Sequence, residues 1–235
     1  MDKIERIFKT WVPKTELGRK VYRREITSIE EVFEKGYIIR EPEIVDVLLP
    51  DLEEEIILIG GTPGKGGGIK RIPVKTTARM HKSGRKRSLH AMVVVGNKNG
   101  YVGYGYAKGN DAREAIEKAS RKARLNIISV RRGCGSWECN CHEPHSIPFK
   151  ITGKSGSVKV ELIPGPRGLG IVASSEPKKV LRLAGIEDVW LRSFGNTRTR
   201  INFIYALFDA FSNLNKIRIN ESIVKELGIV EGLNK

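Results

Sequence analysis

Residues 89–110 read LHAMVVVGNKNGYVGYGYAKGN, and this stretch decides the fold. Leu89 to Val95 is a β-prone run. Asn97-Lys98-Asn99-Gly100 supplies a turn, and Tyr101 to Tyr106 continues as a second strand, so the pair is expected to form a hairpin. Alternation places Tyr104 and Tyr106 on one face of that strand and Gly103 and Gly105 on the other. A glycine face lets another backbone approach closely. Downstream, Asn110 is expected to cap a long helix with the buried stripe Ala112, Ala115, Ile116, Ala119 and Ala123. Upstream, Ile72 to Arg79 alternates weakly as a further strand, and His81 to Arg87 reads as a turn-rich basic loop. Three strands followed by a helix, with basic loops, predict an α+β RNA-binding unit of the double-stranded-RNA type.

A second unit follows. Ile147–Thr152 and Ser157–Ile163 are strand-like, and Ile171-Val172-Ala173 is a short apolar run. Ser175-Glu176-Pro177 opens a helix to Ala184 that Gly185 ends, Val189–Phe194 is strand-like, and Ile201–Leu214 is a helix apolar on most of its surface. The order is ββαβα. Ahead of both units, Ser28 and Glu31 have capping-box spacing before the apolar stripe Ile29, Val32 and Phe33. Glu41-Pro42 opens a second helical stretch through Val45, Val47, Leu48 and Leu49, interrupted at Pro50 and resumed toward Ile59. Gly60 to Gly68 reads as a flexible linker. Its Gly64-Lys65-Gly66 lacks the frame of a phosphate-binding loop. The expected organisation is a helical amino-terminal extension with a Gly-rich linker over 1–69 and a double-stranded-RNA-binding-like domain over 70–133. A Cys/His loop over 134–146, a carboxy-terminal α+β domain over 147–214 and a tail over 215–235, with one small helix, complete it.

The chain of 235 residues carries 42 Lys+Arg against 27 Asp+Glu, a net charge of +15. That excess repels itself and calls for a polyanionic partner. The apolar stretches near 55–60 and 91–96 are too short to span a bilayer, and the start lacks a signal-peptide core, so the cytoplasm is the expected address. Residues 1–55 hold ten bases and fourteen acids, whereas residues 56–110 hold eleven bases and no acid. Ordinary solvated surfaces interleave both signs, so this block is read as a nucleic-acid footprint. The main grip is assigned to Arg71, Lys75, Arg79, Lys82, Arg85, Lys86 and Arg87. Arg113, Arg121, Lys122, Arg131 and Arg132 are assigned a second surface, with Lys98, Lys108, Lys154 and Arg167 as further contacts. No Ser/His/Asp order, paired carboxylates or nucleotide loop supports an enzyme.

All three cysteines fall between Cys134 and Cys141, in the pattern Cys134-x4-Cys139-x-Cys141-His142-x2-His145. An odd count without a secretory signal argues against a disulfide framework. Thiolate and imidazole are donors that zinc prefers. The candidate ligand set is Cys134, Cys139, Cys141 and His145, because adjacent Cys141 and His142 would strain a shared site. The competing reading is a free-thiol loop packed against RNA or protein.

Residues 89–105 resemble the central hairpin of universal small-subunit ribosomal protein five, and Glu114-Ala115-Ile116-Glu117-Lys118-Ala119 its following helix. Leu162-Ile163-Pro164-Gly165-Pro166-Arg167-Gly168-Leu169-Gly170-Ile171-Val172 is similar to the glycine loop of its second domain. Leu183 to Val189 resembles the segment beyond, and Asp209-Ala210 sits where the last helix expects it. Trp11-Val12-Pro13-Lys14-Thr15-Glu16-Leu17-Gly18-Arg19 and the cysteine loop look like the archaeal form. The resemblance implies the two-domain fold and a place in the small subunit, on the body near the neck, where messenger RNA enters and beside universal proteins four and eight. It implies contributions to subunit assembly, decoding accuracy and messenger unwinding. Carried onto this chain, Lys75 to Arg87 would reach ribosomal RNA near the head–body hinge. Gly168, Gly170, Lys178 and Lys179 would face protein four.

Overall fold

Four short helices open the chain: α1 (Lys3–Thr10), α2 (Glu16–Tyr22), α3 (Ile29–Glu34) and α4 (Pro42–Leu48). The computed structural model describes residues 3–232. At α3 Ser28 caps the helix as its spacing predicts, its hydroxyl accepting from the Glu31 backbone N–H at 3.3 Å, but the Glu31 carboxylate takes that hydroxyl, at 3.2 Å, instead of the Ser28 backbone N–H of a full capping box. Glu41, at the start of α4, accepts from the Trp11 indole at 2.7 Å and from the backbone N–H of Thr15 at 2.6 Å. One carboxylate therefore ties the start of α2 to the start of α4.

Strands β1 (Glu53–Ile56), β2 (Gly60–Pro63), β3 (Ile69–Ile72), β4 (Lys75–His81), β5 (Gly84–Gly96) and β6 (Tyr101–Gly109) follow, then α5 (Ala112–Leu125), β7 (Ile127–Ser129) and β8 (Arg131–Arg132). The second unit comprises β9 (Ile151–Ser155), β10 (Val158–Pro164), β11 (Ile171–Val172), α6 (Ser175–Leu183), β12 (Val189–Phe194) and α7 (Arg200–Lys216). The tail adds α8 (Glu221–Glu226) and β13 (Val230–Glu231). The first sheet runs β1-β5-β6-β7, with β4 also on β5, and the second runs β11-β12-β10-β9. Strands β1 and β4 pair with successive parts of one edge of β5.

Several local expectations are corrected. Residues 53–56 form a strand, not a resumed helix, because pairing with β5 carries Glu53 to Lys98 and Glu54 to Arg124. Tertiary pairing overrides the helix preference of three glutamates. Gly60–Gly68 is not an unstructured linker: β2 and β3 pair across it as a hairpin. His81 to Arg87 is strand with a tight turn at its tip, since β4 and β5 pair from Lys75↔His90 to His81↔Gly84. The α5 cap is Asp111 rather than Asn110, and Ala112 is exposed, so the buried stripe reduces to Ala115, Ala119 and Ala123.

The glycine face works as read. A Cβ at Gly105 would lie 2.0 Å from the Ala119 carbonyl oxygen, and one at Gly103 would lie 2.3 Å from that of Ala123. Only bare backbone lets α5 seat this close. The sheet thus has two apolar faces. Ala91, Val93, Val95 and Tyr101 pack with α5 and with Leu17, Ile29, Val32 and Ile44 of the opening helices. Met92, Val94 and Val102 pack with β10, α6 and α7 of the second unit. Tyr104 reaches across to Phe208, with ring centroids 4.4 Å apart. The amino-terminal helices are accordingly part of the first domain's core rather than an appended extension.

Candidate nucleic-acid interface and metal centre

Strand β5 is 13 residues long and changes character along its length. Its second half is buried in both cores, whereas Gly84 to Arg87 are exposed. Strand β4 is exposed throughout. Together they form a two-stranded arm whose outer part, Thr77–His81, runs about 17 Å past the end of β6, at about 3.4 Å per residue. Register puts Lys75, Arg79 and Lys86 on one face and Arg85 and Arg87 on the other, with Lys82 at the tip. All six are exposed, and among the described residues none forms an ion pair. At the base of the arm His90 bonds the Tyr106 hydroxyl at 2.8 Å and the Thr77 hydroxyl at 2.9 Å. Burial, then the charges of Lys108 and Lys75, hold its imidazole below the usual histidine value. Arg71 lies on the neighbouring β2–β3 hairpin. Cations without carboxylate partners are free to neutralise phosphate.

The remaining candidates divide. Lys108, Arg121, Lys122 and Lys154 are exposed. Arg113 is exposed but paired with Glu117, and Arg167 with Glu143. Four candidates are held by partners within the chain. Arg132 is 5% exposed and donates to Asn99 and to the Gly232 carbonyl, so it cannot reach a phosphate. Arg131 is tied to Glu231 and to the Leu214 and Ile217 carbonyls. Lys98 pairs with Glu53 across the β1–β5 edge. Lys179 donates to the Ile56 carbonyl and lies beside Glu55 and Glu176, so it joins the two units instead of facing a partner. Lys178 is exposed, and Gly168 and Gly170 hold φ of +86° and +74° in open space.

The cysteine loop brings together the four predicted ligands. The donor atoms of Cys134, Cys139, Cys141 and His145 all lie within 4.8 Å of one another. His142 stands apart, exposed, at φ +55°, with Nδ1 against the Glu226 carbonyl. A hydrogen bond from the Arg167 backbone draws the Cys139 thiol down to about 6, and burial pushes Cys141 up to about 11. Sequence reading missed Asp188. Its carboxylate takes His145 Nδ1 at 2.8 Å and the Gly170 backbone N–H at 2.7 Å. It also missed Glu176, 3% exposed, which binds Arg200 at 3.0 Å and the Leu58 N–H at 3.0 Å. Asp188 reaches Gly170 over 18 residues and His145 over 43, and Glu176 reaches Arg200 over 24 and Leu58 over 118, so no local spacing marks them.

Among the described residues no helix is long and apolar enough to cross a membrane. Residues 69–131 match the family described as Ribosomal protein S5, N-terminal domain, and residues 153–225 match Ribosomal protein S5, C-terminal domain. The small ribosomal subunit protein uS5 of Methanococcus maripaludis is 51% identical over 94% of this chain and 90% of its own length. Those of Methanocaldococcus jannaschii and Nanoarchaeum equitans are 50% and 49% identical, over 94% of this chain and 95% of theirs. The two domains in this order, the arm of unpaired cations and half-identity along nearly the whole chain lead to one conclusion: the chain belongs to the ribosomal protein S5 family in its archaeal form, a family of structural, RNA-binding constituents of the small ribosomal subunit and not of enzymes.

Proposed function

We propose that the chain works in the cytoplasmic ribosome, where the β4–β5 arm holds small-subunit ribosomal RNA and the protein lies beside the channel through which messenger RNA enters. The observation that carries this reading is the set of six exposed cations on one hairpin, in a segment of eleven bases without an acid. Phosphate neutralisation supplies the affinity. Messenger unwinding proceeds by holding single strands against basic surface, without ATP, and with it the chain contributes to assembly and decoding accuracy. Gly168, Gly170 and Lys178 face universal protein four, and protein eight is the second protein neighbour. The resemblance of residues 162–172 to the family's glycine loop supports the first of these contacts. Sedimentation at low salt tests the placement: the chain is expected to travel with the small subunit. A chain that stays in the free protein fraction would mark it as a free-standing RNA chaperone instead.

The cysteine cluster is read as a structural zinc site. Zn–S bonds of about 2.3 Å set tetrahedral edges of about 3.8 Å between ligands. Cys139 Sγ already stands 3.8 Å from His145 Nε2, and the other donors need to close by no more than about 1 Å. Four protein ligands leave no open position, which favours a structural over a catalytic metal. Metal analysis of the purified chain is expected to find one zinc, lost in Cys139→Ser.

A further inference from the structure

The loop that carries the cluster is held by backbone bonds from Glu187 and Asp188 to the His145 carbonyl, by the Arg167–Glu143 ion pair and by its buried ends. Between Gly133 and Ser146, which bridge to each other, it forms no helix or strand, and Trp137, Glu138, Asn140, His142 and Glu143 are exposed. Yet two distant segments hang from it by hydrogen bonds. The Cys134 backbone N–H donates to the Leu227 carbonyl at 2.8 Å, and His142 meets the Glu226 carbonyl. Gly228, at φ +56°, packs so closely that a Cβ there would lie 1.9 Å from the His142 carbonyl oxygen. Helix α8 has no buried residue of its own, so its position rests on these bonds, on the half-buried Ile223, Val224 and Ile229, on the two-residue pairing of β13 with β8, and on Arg131 and Arg132, which hold Ile217, Glu231 and Gly232. On the other side, Asp188 accepts from His145 through one oxygen and from the Gly170 N–H through the other. Ser146 extends the link, donating to the Asp188 carbonyl and accepting from the Gly165 N–H at 3.2 Å.

We infer that the zinc bound by Cys134, Cys139, Cys141 and His145 is the pin of a local clasp: through Asp188 it fixes the glycine loop 165–170, and through the loop backbone it holds the tail 217–232 against the first domain. The inference rests on the zinc reading above and adds what the metal organises. His145 and Asp188 are 6% and 3% exposed, so their orientation is set by packing. With Nδ1–H committed to Asp188, Nε2 is the nitrogen left for the metal, the carboxylate–histidine–zinc arrangement in which the carboxylate fixes tautomer and ring orientation. Asp188 is a positioning residue. It transmits the geometry of the site to the glycine loop, the same loop proposed above to face a protein partner. Metal occupancy thereby governs a surface that carries no ligand itself.

The test is amide hydrogen exchange on the full-length chain, as purified and after stepwise stripping with a chelator, with zinc content measured at each step. Expected on stripping is faster exchange, on the order of tenfold, at Cys134 and Gly170 and across 223–231, while β5, β6 and α7 hold their protection. Reloading with zinc restores the slow rates. Asp188→Asn, which keeps size but loses one acceptor, is expected to weaken zinc binding by roughly 10- to 100-fold and to speed Gly170 exchange at full zinc load. One equivalent of zinc whose removal changes no exchange rate would sink the clasp and leave the zinc reading standing. Loss of protection spread evenly over β5, β6 and α7 would also overturn it, since the metal would then hold the whole fold. A chain that binds no zinc removes both.

Discussion

Neutralising opposite faces of the β4–β5 arm distinguishes a hairpin inserted between RNA segments from one lying on a single surface. Arg79 and Lys86 are cross-strand partners on one face, and Arg85 and Arg87 share the other. If all six arm cations meet phosphate, counterion release gives a salt slope of about −5.4 in log K per decade, from about −0.9 per contact. Between 50 and 200 mM salt, about 0.6 decade, affinity then falls by roughly a thousandfold. Arg79→Gln with Lys86→Gln removes two contacts and should bring the slope to about −3.6. Arg85→Gln with Arg87→Gln should do the same if the arm is gripped on both sides. Fluorescence anisotropy of the full chain on a small-subunit RNA fragment, at four or five salt concentrations, reads each slope. The substitutions touch exposed side chains, so thermal stability should not move by more than about 0.5 kcal/mol. A wild-type slope retained in both double variants would refute the phosphate mechanism, and a change in only one pair would place RNA on that face alone.

Gly105→Ala drives a methyl to 2.0 Å from the Ala119 carbonyl and 2.5 Å from the Ala123 nitrogen. Helix α5 must lift, and chemical denaturation should register a loss of about 1–3 kcal/mol or more. Gly168→Ala, at φ +86° in open space, should cost only about 1 kcal/mol. Arg124 is 19% exposed and binds Asp46, Glu54 and Ser120 together, so Arg124→Met should destabilise by about 1–3 kcal/mol and loosen α4 from α5, readable as faster exchange in residues 42–48. His90 is held below its usual value by burial and by Lys108 and Lys75. As pH falls through about 6.5 the unfolded chain takes up a proton that the folded chain declines, so this contribution to stability is complete above that pH and is lost on acidification until the folded imidazole also titrates. RNA bound along the arm would bring phosphate near and raise the His90 value, and an imidazole titration unmoved by RNA would place the phosphates elsewhere.

What the sequence made legible were the features set by neighbours in the chain. The β5–β6 hairpin follows from its turn residues, the α5 seat from alternating Gly103 and Gly105, and the α3 start from Ser28 and Glu31. The four metal-ligand candidates were legible for the same reason, lying within twelve residues. What escaped was set by distance. Glu53 to Ile56 reads as helix until the free edge of β5 is beside it. Arg131 and Arg132 look like two more surface cations until a tail a hundred residues later covers them. Charge counting finds a basic segment but cannot tell a cation facing solvent from one already spent on a carbonyl.

The arm and the scaffold are joined by one strand, and this decides how RNA binding and folding bear on each other. From Ala91 to Gly96, β5 alternates its side chains between the two cores, Val93 and Val95 toward α5 and Met92 and Val94 toward the second unit. From Gly84 to Arg87 the same strand carries three of the six arm cations. A two-stranded hairpin is marginal alone in water, so β4 and the outer half of β5 keep their register only because the inner half is clamped from both sides. Loosening either core should therefore blunt RNA affinity without touching a cation. The two units meet across β5 and β6, at Gly96 against the Leu183 carbonyl and at Tyr104 against Phe208. Their packing is thus expected to hold the arm's cations in fixed positions, and the proposed RNA surface in the first domain should depend on the second domain's presence.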